Sequence, residues 1–165
     1  WARTPMLCNC CSLSTRKATC MLHEDDLITV AYVSSATHRM TDDELAAILD
    51  VSRERNARDG ITGLLLYSDG DFIQVLEGPE APVRAAVARI RKDDRHTHFT
   101  ILLDQPIGER VFAGWAMGFK NVGTVSAADG DLYTAFRAGR LQDVGFLRNP
   151  VRTWHLIKGF AETNR

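Results

Sequence analysis

The sequence predicts an α+β domain of ferredoxin-like order, β-α-β-β-α-β, with an added fifth strand. Two helices should lie on one face of a mainly antiparallel sheet, and two short C-terminal helices should follow. Three observations lead there. Short β-rich runs alternate with two stretches of helical periodicity. A capping box stands before the first of those stretches. The turn signal Ser68-Asp69-Gly70 joins two apolar runs with no room for a helix between them.

The first strand is residues 27–34, LITVAYVS. Its alternation puts Ile28, Val30, Tyr32 and Ser34 on one face and Leu27, Thr29, Ala31 and Val33 on the other. Thr41 and Glu44 form the capping box, so a helix should run from there to about Asp59, with Gly60 ending it. The inward stripe of that helix reads Leu45, Ile48, Leu49, Ser52, Asn56, apolar at first and polar at its end. Ile61 to Tyr67 is a nearly continuous apolar run, which suits a central buried strand. After the turn, Phe72 to Leu76 returns as its partner, and Gly78-Pro79 breaks it. Pro79 suits the first turn of a second helix, whose buried stripe is Val83, Val87 and Ile90. Phe99 to Leu103 reads as a fourth strand and Val111 to Phe119 as a fifth. Residues 127–138 and 150–162 read as the short C-terminal helices, punctuated by Gly139, Gly145 and Pro150.

Composition bounds the function. The chain has 165 residues, 45% hydrophobic and 25% charged, which suits one domain with extra length at its ends. The expected divisions are a leader at 1–26, a domain at 27–122 and a helical extension at 123–165. The formal charge of -1 provides no field to recruit nucleic acid or an anionic membrane. No apolar run is long enough to span a bilayer. The N-terminus lacks the apolar stretch of a secretory signal, so a cytoplasmic protein is expected. Residues 1–26 show neither period and read as a poorly structured leader of non-native character, with Met6 and Met21 as candidate starts. Cys8, Cys10, Cys11 and Cys20 all lie in this leader. Their crowding suits neither a disulfide framework nor a zinc knuckle, and free thiols are the preferred reading.

Several side chains fall where a purely structural core would not place them. Tyr32 and Gln74 lie near the middles of two strands, and Gln74 shares a face with Phe72 and Leu76. Asn56 sits on the buried stripe of the first helix. Trp115 and Met117, two apart on the last strand, should share a face. Each has an ordinary explanation taken singly: a tyrosine bonded to a carbonyl, a solvent-facing glutamine, an asparagine cap, simple packing. Together, two buried amides and a phenol converging between sheet and helices suggest a polar ligand with an aromatic body, because an unpartnered buried amide costs about 1–3 kcal/mol.

Four segments carry a resemblance. They are VAYVS at 30–34, RNARDGITGLLLY at 55–67, FIQVLEG at 72–78 and WAMG at 115–118. In order and spacing they resemble the signature segments of BLUF domains, over about residues 27–122. The resemblance implies a flavin, FAD in most members, held between the two helices over the sheet. It implies that Tyr32 and Gln74 are the photoactive pair and that Asn56 bonds the polar edge of the ring. Ile61 and Phe72 would pack near the ring faces, and Arg95 and His96 would lie by the ribityl–phosphate side. Met117 and Trp115 would respond to light. Arg55 is a departure, standing where many members carry Asn or His. The resemblance further implies a sensor and not an enzyme, acting on an unidentified downstream protein, and a homo-oligomer is expected. A ferredoxin-like binding module without photochemistry is the competing reading. No nucleophile elbow, paired metal ligands or P-loop supports a hydrolase.

Overall fold

A two-residue turn sets the sheet's central hairpin. Asp69 and Gly70 both take positive φ, 49° and 101°, the geometry whose twist matches two right-twisted antiparallel strands. The computed structural model describes residues 26–121. Its elements are β1 (Leu27–Ala36), α1 (Asp42–Asp59), β2 (Thr62–Ser68), β3 (Asp71–Pro79), α2 (Glu80–Ile90), β4 (His96–Pro106) and β5 (Gly118–Asn121). The strands lie in the order β4-β1-β3-β2-β5. The first four pair antiparallel, and β5 adds to β2 in parallel. This is the expected ferredoxin-like arrangement with its extra strand. The expected leader and C-terminal helices lie outside the described residues.

The helix ends follow the local chemistry. The Thr41 hydroxyl accepts from the Glu44 amide, and Glu44 accepts from the Thr41 amide, so two orphan donors are satisfied reciprocally. Gly60 closes α1 in the left-handed conformation, φ 66°, which costs glycine no Cβ clash. Its amide and that of Ile61 both donate to the Asn56 carbonyl. Pro79 stands at the N-terminus of α2 with no side-chain cap, and β3 runs right up to it through Gly78 instead of stopping at Leu76.

Both helices pack on one face of the sheet. The core joins Leu45 and Leu49 of α1 and Val83 and Ala86 of α2 to Ile28, Val30, Leu65, Phe72 and Leu76 of the strands. Val87 and Ile90, expected on the buried stripe, are only partly buried against it. Tyr67 fixes the entry to α1, its hydroxyl accepting from the Met40 amide at 2.8 Å. The opposite face is also buried, with Thr29, Ala31, Ile73 and Val75 almost inaccessible. Among the described residues, no helix is long and apolar enough to cross a membrane.

One expected element is different. The fifth strand was expected over Val111 to Phe119, but it spans only Gly118–Asn121. The segment before it is apolar without being extended. Arg110 ties it to the ends of β2 and β3, donating to the Gly60 carbonyl (2.7 Å), the Thr62 hydroxyl (3.0 Å) and the Glu77 carbonyl (3.1 Å). The Phe112 amide donates to the Glu77 carboxylate at 2.9 Å, and the Trp115 amide turns back to the Phe112 carbonyl. Backbone groups engaged this way cannot form a ladder. Trp115 and Met117 therefore do not share a strand face.

Candidate functional site

Tyr32 in β1 stands directly opposite Gln74 in β3, so the two side chains emerge side by side on the helix-bearing face. The Tyr32 hydroxyl donates to Gln74 Oε1. The same amide's Nε2 donates to Met117 Sδ at 3.5 Å. Both ends of Gln74 are thus committed, one to a phenol and one to a thioether. Tyr32 and Gln74 are 3% and 4% exposed, so almost no bulk water competes for these bonds. The Tyr32 ring stacks on Phe99 with centroids 4.3 Å apart. Burial raises its phenol pKa well above the ordinary tyrosine range, and the Asp93 carboxylate adds to this.

A cleft opens in front of this pair, between α1, the end of α2 and the loop into β4. Its non-atom space is about 870 Å³, much of it the solvent-open mouth. Its floor is Tyr32, Gln74, Leu65, Phe72 and Leu76, and its walls include Ile48, Val51, Ser52 and Asn56 from α1. Arg55, Arg89, Asp93, Arg95 and His96 complete the lining. The Asn56 amide nitrogen donates to the Ala116 carbonyl at 2.8 Å, and Arg53 Nε reaches the Met117 carbonyl at 3.2 Å. Asp93 grips Arg95 through both its side chain and its backbone amide. That grip holds the Asp93 carboxyl down at about 2.

The structure brings most of the residues singled out from the sequence into one place. Tyr32, Asn56, Phe72, Gln74, Arg95 and His96 all line the cleft. Met117 is buried behind Gln74 and touches it. Trp115 stands apart, half-buried, its ring against Gly118 and 5.8 Å from the ring of Phe112. Ile61 is not part of the lining: the left-handed turn at Gly60 carries it into the core. Sequence reasoning missed Arg89, which is exposed on α2 and belongs to no motif. It also missed Val51, whose 46% exposure on an otherwise polar surface marks an apolar wall.

A flavin fits this lining. Apolar side chains suit the flat faces of the ring, and the amides of Gln74 and Asn56 suit its polar edge. His96 donates from Nε2 to the Ile90 carbonyl at 2.7 Å, which leaves Nδ1 as an acceptor. That Nδ1 is buried and has no hydrogen-bond partner among the described residues, so a ligand hydroxyl would satisfy it. Among the same residues, no cluster of His, Cys, Asp or Glu could hold a metal ion.

Comparison with known proteins identifies a family. The family described as "BLUF: Sensors of blue-light using FAD" matches residues 27–118. Photoactivated adenylate cyclase subunit alpha of Euglena gracilis is 43% identical over 89 residues, 54% of this chain and 9% of that protein. Subunit beta from the same organism is 44% identical over 86 residues, 52% of this chain and 10% of that one. The match thus spans about a tenth of the length of these relatives. Among solved structures, the dark state of BlrB, a BLUF protein, is 28% identical with a TM-score of 0.65, covering 86% of this chain and 99% of that chain. A bacterial light-regulated adenylyl cyclase is 31% identical with a TM-score of 0.67, covering 80% of this chain and 39% of that one.

Proposed function

The chain belongs to the BLUF family of blue-light sensors using FAD, and from that premise we propose that Tyr32 and Gln74 are its light-sensitive pair and Met117 the first contact of its output. The observation that carries this reading is the chain of bonds from Tyr32 through Gln74, both on the floor of the cleft, to Met117 behind them.

A bound FAD supplies absorption of blue light and, once excited, an acceptor for an electron and a proton. Tyr32 is built to release and recover both. Its neutral form is enforced by burial, and its proton already points at Gln74 Oε1. When Tyr32 loses that proton, the bond to Oε1 loses its donor. Rotation or tautomerisation of the Gln74 amide then restores a complete set of bonds, with a donor on the side where an acceptor had been. Electron and proton return to Tyr32; rotation then leaves every covalent bond as it was, whereas tautomerisation moves one proton within the amide from nitrogen to oxygen. The exchange removes the donor from Met117 Sδ, and a two-state switch needs such a difference in contacts. With a flavin bound, Asn56 would hold the ring edge, Phe72 would pack against the ring, and Arg95 and His96 would lie on the ribityl side.

The domain acts as a sensor and not as an enzyme; the cyclase named for its relatives is not carried over to this chain. Output passes from residues 115–117 to a downstream protein, with a homo-oligomer as the working form. The test is Gln74→Leu, which fills similar volume and suits the apolar strand face. The variant should purify yellow and show no reversible red shift of its flavin bands under blue light. A normal red shift in that variant would refute the switch.

A further inference from the structure

Two arginine side chains in the cleft hold nothing among the described residues. Arg39, Arg53, Arg58, Arg84, Arg95 and Arg110 all donate hydrogen bonds, and Arg91 lies over the ring of Phe99. The guanidinium groups of Arg55 on α1 and Arg89 on α2 make no hydrogen bond, ion pair or ring contact among the described residues. Yet both line the same cleft, from opposite helices. Two unpaired guanidinium groups facing one opening attract an anion.

The nearby carboxylates do not cancel them. Asp93, the only carboxylate in the lining among the described residues, is bonded to Arg95. Asp59, at the end of α1, is bonded to Arg58. Asp59 also reports where the two free arginines sit: its carboxyl is held below the ordinary range first by Arg58, and further by the charges of Arg89 and Arg55. Among the described residues, the mouth of the cleft therefore keeps two positive charges that no carboxylate binds, while its floor is apolar apart from Tyr32 and the Gln74 amide.

From this juxtaposition we propose that Arg55 and Arg89 clamp the phosphate on the ribityl side of the flavin, and that this makes the chain selective for phosphorylated flavins over riboflavin. The inference rests on the flavin reading above and deepens it. The phosphate concerned is the one that FMN and FAD share, so adenine is not required. A phosphate monoester carries close to two negative charges at neutral pH and presents oxygens that suit the planar fork of arginine. Both side chains are exposed, so solvent screening reduces each contact.

The experiment titrates the flavin-stripped full chain with riboflavin, FMN and FAD, following flavin fluorescence, at low and high sodium chloride. FMN and FAD should bind alike, roughly tenfold or more tighter than riboflavin, as expected for hydrogen bonds to a charged group. That advantage should shrink in salt, while riboflavin affinity stays constant. In the double variant Arg55→Gln/Arg89→Gln, FMN should fall to the riboflavin level while riboflavin binds as before, which also shows that the variant is folded. Equal binding of riboflavin and FMN by the unaltered chain would overturn the proposal, and so would a tightening seen only with FAD. An FMN advantage that survives in the double variant, or is indifferent to salt, would overturn it too. Failure of all three to bind would refute the flavin reading itself, and is distinguishable from these outcomes.

Discussion

The bond between Tyr32 and Gln74 can be weighed by removing its partners one at a time and then together. Tyr32→Phe keeps the ring on Phe99 but leaves Gln74 Oε1 without its donor in a nearly dry site. Gln74→Leu leaves the Tyr32 hydroxyl without its acceptor. Each single change should therefore cost about 1–3 kcal/mol, the penalty of an unsatisfied buried polar group. The double variant leaves no orphan at that contact, because both partners have become apolar and fit the strand face. It should be about as stable as the unaltered chain, and the coupling between the positions should then equal the sum of the two single penalties, about 2–6 kcal/mol. The assay is urea unfolding of the flavin-stripped protein in the dark, since a bound ligand would add its own stabilisation to each variant. Additive costs, with the double variant losing the sum of the singles to within about 0.5 kcal/mol, would refute the reasoning. They would mean that water already serves one of the two groups.

Other consequences of the same structure can be checked independently. Asn56→Ala should weaken flavin binding by a factor of about five, equivalent to about 1 kcal/mol for one hydrogen bond, while the fold survives; unchanged affinity would make Asn56 only a tether for Ala116. Because burial raises the Tyr32 pKa above the ordinary 10.0, the unfolded chain releases this proton first. Its contribution to stability is complete below pH 10 and declines above it, so the alkaline loss of stability should be smaller in Tyr32→Phe when unfolding is followed from pH 9 to 11. Thr41→Ala should lower stability by about 1 kcal/mol through loss of the cap, without altering the flavin spectrum.

How much of this was legible in the sequence depended on the range of the forces involved. Tyr32 and Gln74 stood out because alternation along a strand is local, and a polar residue inside an apolar face is conspicuous. Asn56 stood out because the helical stripe changes character there. The capping box and the Asp69-Gly70 turn depend on three or four neighbouring residues and were read correctly. The stretch from Val111 to Met117 was not. Its apolar content resembles a strand, but its shape is imposed by Arg110, Glu77 and Gly63, contacts between 33 and 52 positions apart in sequence that no periodicity reveals. Ile61 was expected near the ring faces from the family resemblance; the turn at Gly60 carries it into the core, outside the cleft lining. Arg89 has no local signal. Its place at the cleft depends on how α2 packs across from α1.

Three successive carbonyls of the segment before β5 are held by donors from elsewhere in the fold. Trp115 receives the Gly63 amide, Ala116 the Asn56 side chain, and Met117 the Arg53 side chain. Asn56 also lines the cleft, so one side chain serves both the ligand's chamber and this clasp. Linkage then imposes a reciprocal relation between filling the chamber and fastening the clasp. If filling the chamber tightens the hold on Ala116 by some factor, fastening that hold must raise ligand affinity by the same factor. A light-driven loosening of the segment would accordingly make the protein, for as long as it persists, a poorer keeper of its own chromophore.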